Sequence, residues 1–263
     1  MDVKLVDKGK NHIALLFKDT APVFLNTIRR IILDEVPVMA IEDVEVRKNT
    51  SILYDEMIAH RLGLVPLTTD LKSYNLPDQC KCEGKGCARC QVTFTLEGKG
   101  PGIVYASDLK SSDSSVKPVF PKTPIVELLK GQQIELEAVA VLGKGKVHAK
   151  WVPAHVYYKH KAKVTVLDKI DDKMREKAEL VPPGTLAALK EKRDAVDSPL
   201  LDGYLNQLCV EEGSQGGIQV EADKDIILFI ESFGQLDNKK ILSEAVKIFE
   251  TMLNEFSESL KSK

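Results

Sequence analysis

The sequence lacks the features that mark several common classes of protein. No stretch reaches the roughly 18 consecutive apolar residues of a membrane-spanning helix. The N-terminus has neither the basic start nor the apolar run of a signal peptide. Positive charge is not in excess, because the 263 residues include 37 lysines and arginines and 39 acidic residues, for a net charge of −2. We therefore expect a cytoplasmic protein that does not bind nucleic acid tightly across its whole surface.

Recognisable catalytic motifs are also missing. The chain contains no G-x-S-x-G sequence, no P-loop, and no dinucleotide-binding glycine motif between a strand and a helix. Asp55, Glu56 and His60 fall on one short predicted helix, so a zinc-stabilised enzyme with a histidine–carboxylate site is an alternative, although no H-E-x-x-H pair accompanies them. A free-standing DNA-binding adaptor is a second alternative, and it would need a basic face that the composition does not favour.

Cysteine is scarce but clustered. Four of the five cysteines follow the spacing C-x-C-x4-C-x2-C, at Cys80, Cys82, Cys87 and Cys90. Four thiolates complete a tetrahedral shell around zinc and leave no position for a substrate, so the spacing predicts one structural zinc ion. An iron–sulfur cluster, disulfides and an empty site are the alternatives, and the spacing only partly overlaps that of known clusters. Cys209 is predicted to be a small buried hydrophobic residue.

The hydrophobic pattern predicts a mixture of helices and strands. A first helix is expected between Asp19 or Thr20 and Pro37, and the chain should end in a long second helix. The segment QVTFTLEG alternates as a half-buried strand would. The segments HIALLF, IEDVEV, HVYYKHKAKV and DIILFIESF are expected to form one sheet. The pattern therefore indicates an α+β fold.

Both long helices carry apolar stripes. Spacings of three and four residues place Phe24, Leu25, Ile28, Ile31 and Ile32 on one face of the first helix. The same spacings produce a seam on the last helix, suited to packing against another helix: Leu242, Ala245, Phe249, Met252 and Phe256. Periodicity alone does not decide whether these stripes belong to an internal core or to an interface with another chain.

Several stretches resemble the alpha-like subunits of DNA-directed RNA polymerase, in the order found in that family. FLNTIRRIILDEVPVMAIEDVEV is similar to the family's first helix and following strand, and DEMIAHRLGLVPLTTD to its next segment. CKCEGKGCARCQVTFTLE resembles the zinc loop of eukaryotic and archaeal members, and GPGIVYASDLKSSD and GKGKVHAKWVPAHVYYKH also match. The resemblance covers most of residues 10–168 and 218–258. It is strongest to the archaeal members of the family, the counterparts of bacterial alpha and of the third-largest subunit of eukaryotic polymerase II.

The resemblance implies a particular domain layout. Residues 1–46, 154–168 and 218–263 would form a discontinuous dimerisation domain, made of a sheet and two long helices. Residues 47–153 would form an inserted, mainly-β domain that contains the four-cysteine loop. Residues 169–217 occupy the position of a ferredoxin-like domain found in some archaeal relatives. They contain only Cys209, so we expect a small remnant region without an iron–sulfur cluster.

The resemblance also implies a noncatalytic role. The chain would form a heterodimer with subunit L and recruit subunits N, P and B, while catalysis would take place in the two largest subunits. DNA would be contacted only indirectly, through the complex. The residues expected at partner interfaces are those of the two stripes and a pair of arginines: Phe24, Leu25, Ile28, Arg29, Arg30, Ile31, Ile32, Leu242, Ala245, Phe249, Met252 and Phe256.

Overall fold

The computed structural model describes residues 1–166 and 218–261, which form three α-helices, three short 3-10 helices and ten strands. The α-helices are α1 (Pro22–Asp34), α2 (Asp55–Gly63) and α3 (Asn238–Lys261). The strands are β1 (Asp2–Lys8), β2 (His12–Lys18), β3 (Val38–Asn49), β4 (Gln91–Lys99), β5 (Gly102–Tyr105), β6 (Lys110–Ser111), β7 (Pro124–Leu128), β8 (Gln133–Gly143), β9 (Ala154–Val166) and β10 (Ile218–Ser232). This mixture of elements agrees with an α+β class. Among the described residues, no helix is both long and apolar enough to cross a membrane.

The backbone divides into two compact units, and each is built from separated parts of the chain. One unit comprises Met1–Lys8, Ile13–Leu25 and Tyr157–Phe229. The other comprises Gly9–His12, Asn26–Val156 and Ile230–Lys263. The region predicted to be a ferredoxin-like remnant, together with Cys209, lies outside the described residues.

The first unit is built on a four-stranded sheet in the order β1-β2-β10-β9. Ala14 and Leu16 on β2 pack with Ile227 and Phe229 on β10, and the ring of Tyr157 stacks on Phe229 at a centroid distance of 4.7 Å. Three of the four segments expected in this sheet are therefore neighbours in it. The fourth, IEDVEV, was wrongly placed, because it belongs to β3 in another sheet and β1 occupies the remaining position. Alternation identified β3 as a strand but carried no information about its partner.

The second unit contains a sheet in the order β3-β8-β4-β6 and a small two-stranded sheet, β5-β7. Val92, Phe94 and Leu96 of β4 are buried, as their alternation predicted. They belong to one core cluster with buried apolar residues of β8 and α2. α2 contributes Ile58 and Leu62 to this cluster. This core supports the four-cysteine loop, because the loop ends directly at the first residue of β4.

The C-terminal end of α1 is closed by the loop that follows β8. The Lys146 amide donates to the carbonyl oxygen of Asp34 at 3.0 Å, and the Lys144 ammonium bonds the Glu35 carboxylate at 2.8 Å. Both contacts occupy the region where helix carbonyls lack partners of their own. Gly145 permits this approach, because a β-carbon there would lie 1.9 Å from the carbonyl oxygen of Leu33. The lysine-rich turn GKGK therefore has a structural role.

Candidate metal centre and subunit interface

The four-cysteine loop folds back on itself through a series of tight turns. The Glu83 amide donates to the Cys80 carbonyl at 3.0 Å, and the Lys85 amide donates to the Cys82 carbonyl at 3.1 Å. Gly84 and Gly86 have φ angles of 78° and 87°, which only glycine adopts without strain. These turns bring the two ends of the loop together.

The four sulfur atoms converge on one point. All four Sγ atoms lie within 4.8 Å of one another. Three of the separations are 3.6 Å for Cys80–Cys87, 3.5 Å for Cys82–Cys90 and 3.7 Å for Cys87–Cys90. None is close to the ~2.05 Å of a disulfide bond, and all four cysteines are free thiols. The spacing therefore brings together four sulfur atoms that could hold a metal ion.

This ligand set fits a single tetrahedral ion. Sulfur ligands about 2.3 Å from a zinc ion, placed at the corners of a tetrahedron, lie about 3.8 Å from one another. The observed separations are close to that value, whereas a four-iron cluster attaches its cysteines to four different iron atoms and needs a wider arrangement. The four cysteines could thus bind a metal ion such as zinc. Within the residues that the structure describes, this is the one group of His, Cys, Asp or Glu ligands so arranged.

The environments of the thiols differ. Hydrogen bonds from the thiols of Cys90 and Cys80 lower the pKa of Cys82 to about 7. Burial is the main cause that raises the pKa of Cys90 to about 12. One sulfur of the set is therefore easily ionised while another is stabilised as a thiol, and a bound cation would favour the thiolate form of all four. Lys81, Lys85 and Arg89 are exposed around the loop.

The carboxylates and histidine considered for an enzyme site do not converge. Asp55, Glu56 and His60 are exposed on α2. The Asp55 carboxylate accepts a hydrogen bond from the Asn49 amide group at 2.7 Å, which ties the start of α2 to β3. In the described part of the chain, they form no metal-ligand group with one another or with other residues.

The residues predicted for the subunit interface separate into a buried group and an exposed group. Five are buried within the chain itself: Leu25, Ile28, Ile31, Ile32 and Ala245. Phe24, Arg29, Leu242 and Phe249 are half-buried, and Arg30, Met252 and Phe256 are exposed. The first stripe thus largely supports the core, and the exposed apolar residues of the predicted set, Met252 and Phe256, both lie on α3.

The burial of α3 decreases from its N-terminal to its C-terminal half. Ile241 and Ala245 are fully buried, whereas every residue from 250 to 261 is exposed. Those exposed residues include large apolar side chains that a soluble chain usually covers, with Phe256 and Leu260 each 63% accessible. Val246, Met252 and Leu253 are also exposed. An amphipathic helical surface of about four turns is therefore available for another chain.

A groove of about 540 Å³ runs between α1 and this surface of α3. Its apolar lining comes from Ile31, Phe249, Met252 and Leu253. Its charged lining has both signs, from Arg30, Lys146, Asp34 and Glu35. Arg30 is 68% accessible and its Nε lies 3.8 Å from the Asp34 carboxylate, so its guanidinium is available for a stronger partner. Arg29, in contrast, bonds the side-chain oxygen of Asn26 through two nitrogens, at 3.1 and 2.9 Å.

Two features of the second unit were not predicted from the sequence. One is the segment 66–75, which is tied by hydrogen bonds to several distant parts of the chain. The other is a cleft of about 310 Å³ between α2 and the β5-β7 sheet, lined in part by Ile52 and Ile103. Ile52, Tyr54 and Met57 are exposed beside or near it. The clustered apolar residues of ILYDEM were the available signal, but the sequence does not say that β5 lies opposite them.

The sequence is similar to those of known proteins, and the similarity shows which family the chain belongs to. A family model described as the RNA polymerase Rpb3/RpoA insert domain matches residues 44–155. A DNA-directed RNA polymerase subunit Rpo3 from Thermococcus kodakarensis is 37% identical over 248 residues, which cover 94% of this chain and 93% of the relative. The chain belongs to the archaeal Rpo3 family.

Other Rpo3 proteins support the same assignment. The Rpo3 of Methanothermobacter thermautotrophicus is 38% identical over 252 residues, covering 94% of each chain. The Rpo3 of Methanosphaera stadtmanae is 43% identical over 193 residues, covering 71% of each chain. The resemblance to polymerase alpha-like subunits is thereby confirmed, and the matched insert domain contains both the four-cysteine loop and α2.

Proposed function

We propose that this chain is a noncatalytic assembly platform of a cytoplasmic, DNA-directed RNA polymerase. It pairs with subunit L as a heterodimer and recruits subunits N, P and B, while catalysis takes place in other subunits. The observation that carries this proposal is the uncovered apolar half of α3, in a chain whose relatives are polymerase subunits. An exposed apolar surface of this size on a helix is typical of a site that another protein chain covers.

Burial of the accessible apolar side chains of α3 favours pairing. Completely burying a large apolar side chain contributes ~1.5–3 kcal/mol. Five such side chains are 40–63% accessible on α3: Val246, Met252, Leu253, Phe256 and Leu260. Because each is already partly covered, their burial supplies part of the free energy of association, and contacts in the groove add to it. The three- and four-residue spacing favours a partner helix at a shallow crossing angle.

Phe249 and Arg30 extend this surface into the groove. Phe249 is half-buried and lines the groove together with Ile31, so a partner side chain inserted there would contact both helices. The exposed guanidinium of Arg30 at the rim is suited to a carboxylate of a neighbouring subunit. The buried residues Leu25, Ile28, Ile32 and Ala245 act indirectly, by holding the helices that present these groups.

The four cysteines are proposed to hold one structural zinc ion and no iron–sulfur cluster. When bound, zinc supplies a closed tetrathiolate shell that stabilises the loop. Cys80 and Cys90 are buried at the base of the loop, and Cys82 and Cys87 complete the set from the more exposed side. The site therefore belongs to the fold of the insert domain and not to a reaction.

We also propose the domain layout of a polymerase alpha-like subunit, with residues 1–46, 154–168 and 218–263 in the dimerisation domain. Residues 47–153 form the inserted domain and 169–217 a small third region. The cleft beside Ile52 and Ile103 gives the inserted domain an exposed apolar surface of its own. It is separate from α3 in the sequence and is suited to one of the further subunits.

Coexpression with subunit L tests the pairing. The chain and subunit L should elute from size exclusion as one species with the mass of a 1:1 complex. Replacing both Phe249 and Phe256 with Asp should abolish this species, because two charges would be buried in an apolar interface. The matched control replaces Ile103 and Tyr105, exposed on β5, with Asp. If the α3 variant pairs as well as the control, the proposed interface is wrong.

A further inference from the structure

The segment 66–75, which we call the strap, is fastened along one side to residues 115–119. The Thr68 amide donates to the Lys117 carbonyl at 2.8 Å, and the Thr68 hydroxyl donates to the Ser115 carbonyl at 2.7 Å. The Val119 amide in turn donates to the Pro66 carbonyl at 2.9 Å. The strap is therefore a fixed part of the second unit.

One end of the strap is joined to the four-cysteine loop. The Asn75 amide donates to the carbonyl oxygen of Arg89, immediately before Cys90, at 2.8 Å. Next to it, Tyr74 is buried and its hydroxyl donates to the Asp113 carboxylate. A movement of the backbone at residues 87–90 would therefore displace Asn75 and the adjacent buried Tyr74.

The other end of the strap is joined to the start of α3. The Thr69 amide donates to the Gln235 carbonyl at 3.0 Å, three residues before the helix begins, and the Thr69 hydroxyl accepts from the Met39 amide at 2.9 Å. The adjacent Asp70 carboxylate is held by the Ser73 hydroxyl at 2.7 Å and by the Lys72 amide at 2.9 Å. The strap therefore spans the distance between the cysteines and the interface helix.

The turn before α3 is also held by local side-chain bonds. The Ser232 hydroxyl donates to the Leu236 carbonyl and accepts from the Gly234 amide at 2.9 Å. The Asp237 carboxylate accepts from the Lys240 amide at 2.8 Å.

Gln235 and Asn238 are both more than nine-tenths buried. Their side-chain oxygen atoms have no hydrogen-bond partner in the described part of the chain. Buried polar groups without partners do not stabilise the fold. The Thr69–Gln235 backbone bond therefore joins the strap to a turn whose two buried side-chain oxygens add no bonds of their own.

We propose that the strap makes the start of α3, and with it the subunit interface, depend on metal occupancy of the four cysteines. This inference rests on the proposed function for both the metal and α3. With the cysteines ligated, the Arg89 carbonyl is fixed and holds Asn75. Without a ligand, no ion bridges the four sulfur atoms and only weak sulfur–sulfur contacts join them. The loop then opens, Asn75 is released, and the strap loosens as far as Gln235. The chain then presents α3 less well to its partner.

Hydrogen exchange on the full-length chain tests this coupling, with zinc added or removed by EDTA. Removal of zinc should speed exchange in residues 80–91. It should also speed exchange of amides 69–75 and 237–241, by about tenfold. Amides 14–17 of β2 should not change. If exchange accelerates only within residues 80–91, the proposal is overturned.

Two variants at one position isolate the proposed connection. Asn75→Pro removes the amide donor and keeps all four cysteines, whereas Asn75→Ala removes the same side chain and keeps the donor. The proline variant should bind one zinc per chain, yet residues 237–241 should exchange equally fast with and without zinc. The alanine variant should respond as the parent does. Should Asn75→Pro fail to fold, a parent chain whose residues 237–241 ignore zinc removal still overturns the proposal.

Separate measurements distinguish this proposal from the function beneath it. Atomic emission reports whether the chain holds zinc, and size exclusion with subunit L reports whether α3 pairs. A chain that binds zinc and subunit L, with residues 237–241 insensitive to zinc removal, refutes the coupling alone. A chain that holds no zinc refutes both the coupling and the metal assignment.

Discussion

The two halves of α3 show how one hydrophobic pattern can serve two purposes. In the first half, Ile241 and Ala245 are fully buried in the chain's own core. In the second half, Phe256 and Leu260 repeat the same spacing but are mostly accessible. The amino-acid pattern is continuous, so the difference comes only from where the supporting structure ends.

This difference separates folding from assembly along a single helix. Contacts of the first half are present in the isolated chain and contribute to its free energy of unfolding. Under the proposed pairing, contacts of the second half would form only with the partner and would contribute to the free energy of association. Substitutions in the two halves should consequently act on different measurements.

The largest expected effect is on the free energy of unfolding of the chain, from a substitution in the first half of α3. Ile241→Ala should lower the free energy of unfolding of the isolated chain by ~2–5 kcal/mol, because it leaves a cavity in the core. Leu260→Ala in the second half should change it by less than ~0.5 kcal/mol, because that side chain is exposed. Urea denaturation of the two variants measures both values. Equal losses would show that the two halves do not differ.

The next effect is on association. Phe256→Ala should weaken binding to subunit L on the order of 10- to 100-fold, because a large aromatic contact is removed from the centre of the surface. The free energy of unfolding of the isolated chain should be unchanged. Isothermal titration of the paired subunits measures the affinity. A loss of stability without a loss of affinity would reverse the roles assigned to the two halves.

The smallest effect concerns the strap that supports the first half. Tyr74→Phe removes the hydrogen bond to Asp113 and should cost about 1 kcal/mol at pH 7. That bond is the main cause that lowers the pKa of the Asp113 carboxyl below its ordinary value of 3.8. A lowered folded-state pKa contributes stability above the unfolded value, and that stability is lost as pH falls through the folded value.

The difference between parent and Tyr74→Phe should therefore be constant above about pH 5 and shrink below pH 3.8. Urea denaturation at several pH values measures it, and Ser114→Ala, on the exposed neighbouring turn, is the control. A difference that grows as the pH falls would contradict the assignment of Asp113 as the ionised acceptor.

Local patterns were enough to predict much of this fold. Pro22 lies in the first turn of α1 as expected, and Val92, Phe94 and Leu96 lie on one buried face of β4. The four-cysteine spacing was sufficient for convergence of the sulfur atoms, because the ligands lie within one short loop. In each case, residues close in sequence determined the outcome.

Features that depend on distant residues could not be predicted in this way. The pairing of β3 with β8 and the bond between Thr69 and Gln235 join segments about a hundred or more residues apart. Nor could periodicity separate buried Ile31 from exposed Phe256, since both occupy apolar positions of amphipathic helices. Exposure depends on what the tertiary structure places against each face.

The uncovered half of α3 also has a consequence for how much of the subunit a cell retains. If a partner covers α3 as proposed, an unpaired copy displays an apolar helical surface of the kind that chaperones and proteases recognise, and a paired copy hides it. Surplus copies should accordingly be removed faster than assembled ones. Turnover of unpaired copies would then help to match the amount of this chain to that of its proposed partner.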